Sequence, residues 1–339
     1  MALENTRVIF KKRPEQSATP DCFDVVKEPL APLGPDQVRV EVEYVSVDAG
    51  VRTMLRGEGF HRQVPLGGTI HAGGIGRVIE STADGWEQGQ AVRGGLGAQT
   101  IATVPTSQLE KVDDLPGLSL SAHLGVLGGS TGVTAWIGMR HVACPKPGDT
   151  FVVSAAAGAV GSIAGQIAKK EGARVIGIAG GDRKTAYLVD QLGFDAAIDY
   201  KNEDVAARIA ELAPKGIDIY FDNVGGNILE IALAAIAQNA RIVMCGGISS
   251  GYTMESLPPG PSTLTNLIIQ RGRMEGFIVL DFADRFLEAI IALGTWVSEG
   301  KIVYQEDIAE GLENCPETLA RLFEGKNLGK QLLKIADVV

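Results

Sequence analysis

The chain has only four cysteines in 339 residues, Cys22, Cys144, Cys245 and Cys315, and no two of them form a CxxC pair. That excludes a disulfide-stapled scaffold and removes the clustered thiolates of a structural zinc site, so reduced thiols, buried or incidental, are expected. Histidine is equally scarce. His61, His71, His123 and His141 make no HxxxH or comparable pair, and no metal is expected. No apolar run reaches membrane-spanning length, and the opening MALENTRVIFKKRPEQ has charge but not the apolar stretch of a signal peptide. A cytoplasmic protein with no membrane partner is the expectation. Positive charge is not in excess either: 31 Lys and Arg against 41 Asp and Glu leave a formal charge of −10, with the acids scattered. That argues against a nucleic-acid partner. Internal repeats and low-complexity linkers are absent.

What is present is an ordinary globular composition, 45% hydrophobic and 21% charged, in a chain longer than one hydrophobic core usually organises. Two domains are expected. The texture changes near residue 125. Before it lie short β-rich pieces such as DQVRVEVEYVSV (36–47), where valines alternate with charged residues at period two, and then glycine clusters at 67–78 and 94–99 as in tight turns. From Thr150 onward apolar runs alternate with helical patterns. Strands are expected at TFVVSA, at 173–180, 196–199, 217–222, 241–245 and 274–279, with helices near 159–171, 203–213, 227–238 and 284–298. Six strands alternating with helices predict an α/β fold, a doubly wound parallel sheet of the Rossmann type.

Between the first of these strands and its helix stands SAAAGAVGS (154–162). The spacing is that of a dinucleotide-binding turn, with Ala156 in the first glycine position and Gly158 and Gly161 in the other two. Gly158 would let a pyrophosphate approach the backbone, and Gly161 would let the helix pack closely on the sheet. The free amides of the first turn, at Ala159 and Val160, would face the phosphates. Packing of small residues alone is the plainer reading, but the flanking strand and helix favour the dinucleotide.

The end of the second strand selects the dinucleotide. AGGDRK places Gly180 and Gly181 where an acid would accept the ribose hydroxyls of NAD, followed by Asp182, Arg183 and Lys184. Without that carboxylate, and with two cations as countercharge, NADP(H) is favoured; otherwise Arg183 and Lys184 are solvated residues opening a helix. Asp182 is a candidate cap for that helix.

SAAAGAVGSIAGQIAKKEGARVIGIAGGDRKTAYLVDQLGFDAAIDYK, IDIYFDNVGG, ESLPPGP and NLGKQLLKI together resemble the zinc-free medium-chain dehydrogenases/reductases of the prostaglandin reductase, leukotriene hydroxydehydrogenase, alkenal double-bond reductase and curcumin reductase group. The resemblance implies a discontinuous, β-rich GroES-like catalytic domain (1–125 and 305–339) around an inserted Rossmann NADP-binding domain (126–304), with ligands in the cleft between them. It also implies residue roles. Lys184 and Tyr200 would serve the 2′-phosphate, Asn223 and the Cys245-Gly246 backbone would pass along the cofactor, Asn327 would reach it from the returning segment, and Thr134 would stand near the nicotinamide. By sequence alone Tyr200 reads equally as a half-exposed aromatic, NVGG as a turn and Thr134 as a helix-interior threonine.

The implied reaction is reduction of the carbon–carbon double bond of an α,β-unsaturated ketone or aldehyde. Hydride goes to the β-carbon and charge builds on the carbonyl oxygen, which needs a hydrogen-bond donor, while the α-carbon takes a proton. Here the chain departs from its relatives. Ala49-Gly50 replaces a common Pro-Tyr, and Ile269 stands where several relatives have a tyrosine. Tyr252 becomes the first candidate donor and His71 the second, against readings as a loop aromatic and a satisfied turn residue. The same losses suggest a roomier, more apolar pocket. A homodimer is expected through MEGFIVLDF, an apolar edge strand. A quinone reductase of the same superfamily and a non-catalytic NADPH-binding protein remain the alternatives.

Overall fold

Period-two valines do build the N-terminal strands. The computed structural model describes residues 3–14, 18–56, 62–113, 115, 117–249 and 260–335. Met1–Leu124, Glu306–Asn327 and Gln331–Val339 make one unit, and Gly125–Gln305 with Leu328–Lys330 make a second. The first unit begins with β1 (Glu4–Phe10) and β2 (Phe23–Pro29), an antiparallel pair. There follow β3 (Gln37–Ser46), the short helix α1 (Val51–Arg56), β4 (Gly74–Ser81), β5 (Ala91–Gly94), β6 (Ile101–Pro105) and β7 (Leu109–Lys111). β3 is central, running antiparallel to both β4 and β6. Its Val38, Val40 and Val42 are at most 2% exposed and share a core with Val78, Val92 and Ala102. Arg39, between them, is also buried. Its guanidinium donates to the Ala31 carbonyl at 2.6 Å and pairs with Glu80, the compensation that a buried cation needs.

The second unit opens with a helical stretch around α2 (Thr134–Ile137) and then alternates: β8 (Thr150–Val153), α3 (Ala159–Lys170), β9 (Arg174–Ala179), α4 (Asp182–Ala186), β10 (Ala196–Asp199), α5 (Val205–Leu212), β11 (Ile217–Asp222), α6 (Gly226–Ala234), β12 (Ile236–Met244), α7 (Asn266–Gln270), β13 (Arg273–Gly276) and α8 (Phe286–Ser298). All six strands are parallel, in the order β10-β9-β8-β11-β12-β13. This is the doubly wound order, and the direction of winding reverses between β8 and β11, where such sheets bind ligands. Burial explains why the strands read as continuous apolar runs: Phe151, Val152 and Val153 of β8 and Ile219, Tyr220 and Phe221 of β11 have no exposed surface.

Two elements end earlier than their apolar patterns predict. α6 stops at Ala234 because Ile236 already pairs with Ile217 of β11, ahead of a register shift and a left-handed Asn239 at φ 62°. The run at 274–279 is a strand only to Gly276, and Val279–Arg285 turns into tight helical coils.

The chain returns through β14 (Glu306–Glu310), α9 (Cys315–Phe323) and β15 (Lys330–Lys334). β15 pairs antiparallel with β3 and completes a seven-stranded sheet, β14-β15-β3-β4-β5-β7 with β6 on β3. The fold is thus α/β, a Rossmann-type parallel sheet and a separate antiparallel-rich sheet. No described helix is long and apolar enough to cross a membrane.

Candidate functional site

The glycine-rich turn joins β8 to α3 at the carboxyl edge of the parallel sheet. Ala155 adopts the left-handed conformation (φ 47°), and its carbonyl accepts the Gly158 amide at 2.9 Å. A Cβ on Gly161 would lie 2.5 Å from that carbonyl oxygen, so only glycine lets the first turn of α3 close against it. Gly158 is the N-cap of α3, and no capping side chain engages the helix start. Ala159 and Val160 are half-buried there, with their amides in the first turn and directed along the helix axis. Ala156 plays a different part. It is fully buried, and its amide donates to Ile178 of β9 at 3.0 Å, so it shapes the turn by packing and does not offer its amide to a ligand.

Across the winding reversal, a buried polar network ties the ends of β8 and β11. Asp222, with no exposed surface, accepts hydrogen bonds from the Ser154 hydroxyl (2.9 Å), the Tyr220 hydroxyl (2.9 Å) and the amides of Val224 (3.1 Å) and Gly225 (3.0 Å). Ser154 Oγ in turn accepts the Asn223 amide at 2.9 Å, and the Asn223 carboxamide donates to the Ser154 carbonyl at 2.8 Å. The Asn223 side chain is therefore fixed at the sheet edge with its Nδ2 directed inward. The backbone of Cys245 and Gly246, after β12, is held beside it, for both amides donate to the Asp222 carbonyl at 2.9 and 3.0 Å. Burial, reinforced by the Asp222 charge, pushes the Cys245 thiol up to about 12, so it stays protonated and inert. Sequence reasoning missed Ser154 and Asp222. Their signal was a polar residue at the end of each apolar strand.

At the end of β9, Gly180 and Gly181 occupy the turn, Gly181 at φ 89°. Gly181, not Asp182, is the N-cap of α4; Asp182 is the first helical residue and caps nothing. Arg183 is exposed and Lys184 half-buried on the same turn, with the exposed Tyr200 close by: a Cβ on Gly180 would come within 2.8 Å of the Tyr200 ring. Gly180, Arg183, Lys184 and Tyr200 are thus brought together.

The remaining predicted residues are more dispersed. Thr134 is buried in its helical stretch, where its hydroxyl donates to the Gly129 carbonyl at 2.8 Å, a local bond of a helix-interior threonine. Gly329, two residues after the buried Asn327, donates its amide to the Ala157 carbonyl at 2.8 Å and lies beside Gly158, so the returning segment reaches the glycine turn. His71 is half-buried in the first unit, ahead of β4. Burial, with the Arg62 charge, holds its imidazole below the ordinary 6.5. Tyr252 lies outside the described residues.

Two family models match the chain: "N-terminal domain of oxidoreductase" over residues 6–112 and "Zinc-binding dehydrogenase" over 159–293. The NADPH-dependent curcumin reductase of Escherichia coli is 38% identical over 338 residues, covering 98% of this chain and 97% of the relative. The chain belongs to the medium-chain dehydrogenase/reductase superfamily. Within it, the NADP(+)-dependent 2-alkenal reductase of Nicotiana tabacum is 39% identical over 312 residues, 90% of this chain and 89% of that one. Among solved structures, CurA of Vibrio vulnificus in complex with NADPH superposes with a TM-score of 0.92 at 35% identity, over 98% of this chain and 100% of that one.

The superfamily implies a dinucleotide, and the residues fit one. The start of α3, with no capping side chain and a glycine at its N-cap, and the Gly180-Gly181 turn after β9, where no acid ends the strand, suit phosphates. The zinc in the family description does not fit. Among the described residues no three His, Cys, Asp or Glu side chains gather as a metal-binding group, and no step below runs through a metal.

Proposed function

We propose that this protein is an NADPH-dependent reductase of the carbon–carbon double bond in α,β-unsaturated ketones or aldehydes. The observation that carries the cofactor half is the end of β9, where two glycines and two cations stand in place of a ribose-binding acid. The reaction half is supported by full-length similarity to reductases named for curcumin and 2-alkenals.

In this reading the amides of Ala159 and Val160, with Gly158 and Gly161 giving access, hold the pyrophosphate, and Arg183, Lys184 and Tyr200 hold the 2′-phosphate. Asn223, Cys245 and Gly246 line the cofactor at the sheet edge, and Asn327 and Thr134 complete its binding. NADPH, when bound, supplies the hydride that adds to the β-carbon. The protein's own task is then to orient the enone and stabilise the charge that develops on its carbonyl oxygen. Tyr252 and His71 are the donors proposed for that oxygen. His71, whose imidazole burial holds below the ordinary 6.5, would donate through its N–H as a hydrogen bond, and the α-carbon would take its proton from solvent or an acid.

A homodimer is part of the proposal. Ile268 (79% exposed), Leu280 (71%) and Leu287 (69%), with Ile269 and Ile291, are exposed apolar side chains on the segments before and after the edge strand β13. Four dispersed free thiols suit a reducing compartment, here the cytoplasm.

The test is loss of the NADPH absorbance band with a panel of enones, enals and quinones, repeated with NADH. Turnover of an enone with NADPH preferred supports the reading. Oxidation by quinones alone would make the protein a quinone reductase, and cofactor binding without turnover of any acceptor would make it a non-catalytic binder.

A further inference from the structure

The Asp199 carboxylate has no part in the roles given above. It ends β10, is 5% exposed, and accepts hydrogen bonds from the Gly181 amide at 2.8 Å, the Lys201 amide at 3.0 Å and the Asn202 carboxamide at 2.7 Å. Gly181 belongs to the turn after β9 and Lys201 to the turn after β10, so one side chain ties together two loops from neighbouring parallel strands. The Glu203 side chain, which accepts the Asp199 amide at 2.6 Å, and the Tyr200 amide, which donates to the Ala179 carbonyl at 3.0 Å, fasten the second loop further. Burial alone would raise the Asp199 carboxyl. The Gly181 and Lys201 amides, the Asn202 carboxamide and the Lys201 charge outweigh it and hold the group below the ordinary 3.8. It is an anion that accepts a hydrogen bond at each of its oxygens.

Gly180 lies against this clamp. A Cβ there would stand 2.8 Å from Tyr200 Cε1 and 2.9 Å from Lys201 Cε, so the tyrosine ring and the lysine stem both approach the bare face of that glycine. Arg183 and Lys184 come from the first loop, and Lys201 from the second. A carboxylate close to a site for a phosphate dianion is unfavourable by charge alone. Its place there is explained if its hydrogen bonds set the geometry of both loops.

We propose that Asp199 is the positioning residue that joins the two halves of the 2′-phosphate site, and that Lys201, held over Gly180, is a further cation of that site and a determinant of NADP(H) over NAD(H). The inference rests on the NADP(H) reading above.

The test is calorimetric binding of adenosine 2′,5′-bisphosphate and adenosine 5′-monophosphate to the full-length protein. Lys201→Met is expected to weaken the bisphosphate about tenfold, the worth of one charged hydrogen bond, and to leave the monophosphate unchanged. Asp199→Ala is expected to weaken the bisphosphate although it removes a negative charge, and Asp199→Asn, which still accepts the two amides, to recover most of the loss. A carboxylate acting through its charge alone gives the opposite sign, tighter bisphosphate binding in both. That result, or a bisphosphate-to-monophosphate ratio unchanged in Lys201→Met, overturns the inference. Should Asp199→Ala fail to fold, the exposed Lys201→Met decides. A wild-type protein that binds the two ligands equally removes the NADP(H) reading itself, and this inference with it. One that prefers the bisphosphate, with variants to match, removes the inference alone.

Discussion

The Ser154 hydroxyl donates to Asp222 across the winding reversal at 2.9 Å, and the same oxygen accepts the amide of Asn223. Two strand ends are thereby locked at the edge where the dinucleotide would lie. Asp222→Ala leaves the Ser154 and Tyr220 hydroxyls and two backbone amides without their acceptor in a buried site. At about 1–3 kcal/mol for each unsatisfied group, a loss of about 3 kcal/mol or more is expected in chemical denaturation, while Ser154→Ala costs about 1–2 kcal/mol. Equal and small effects of both would show that the network does not hold the edge.

Gly161→Ala places a methyl group 2.5 Å from the Ala155 carbonyl. Backbone cannot yield as a flexible side chain does, so the start of α3 must move. Destabilisation by about 1–3 kcal/mol is expected, with a clear loss of NADPH affinity in a fluorescence titration. Unchanged affinity would separate the turn from the cofactor.

Cysteine reactivity divides between the two thiols of the second unit. Cys144 is exposed, whereas burial and Asp222 push Cys245 up to about 12. At pH 8 an alkylating reagent is expected to modify Cys144 and to leave Cys245 intact in peptide mass spectra. Rapid labelling of Cys245 would contradict its raised thiol pKa.

His71 gives a pH dependence with a definite sign. Its folded value lies below 6.5, so the unfolded chain binds the proton more readily. The stability it contributes is fully present above 6.5 and is lost as the pH falls through the folded value. His71→Gln is expected to flatten that acid limb of the unfolding curve, measured by denaturant midpoints across the range. A limb that steepens instead would give the shift the wrong direction.

The apolar edge predicts an oligomeric state. Ile268→Asp with Leu280→Asp, at side chains 79% and 71% exposed, is expected to turn a dimer into a soluble monomer in sedimentation velocity with the fold intact by circular dichroism. A wild type that already sediments as a monomer would leave that surface for another partner.

Much of the fold was legible because its signals are local. Apolar runs of strand length, helical periodicity and the spacing of Gly158 and Gly161 each lie within a few residues, and together they determined six parallel strands, the glycine turn and its place before α3. Gly180 and Gly181 likewise marked the end of β9 without its acid. What the tertiary structure alone decided was which distant residues meet. Ser154 bonds Asp222 over 68 positions, Asp199 bonds Gly181 over 18, and Gly329 reaches Ala157 from the far end of the chain. Such contacts follow from strand order and register, which no local pattern encodes. They also reassigned Ala156 to packing and relieved Asp182 of its cap: sequence spacing names the residue types that a turn requires, but only the folded backbone settles which of their amides and oxygens are already engaged.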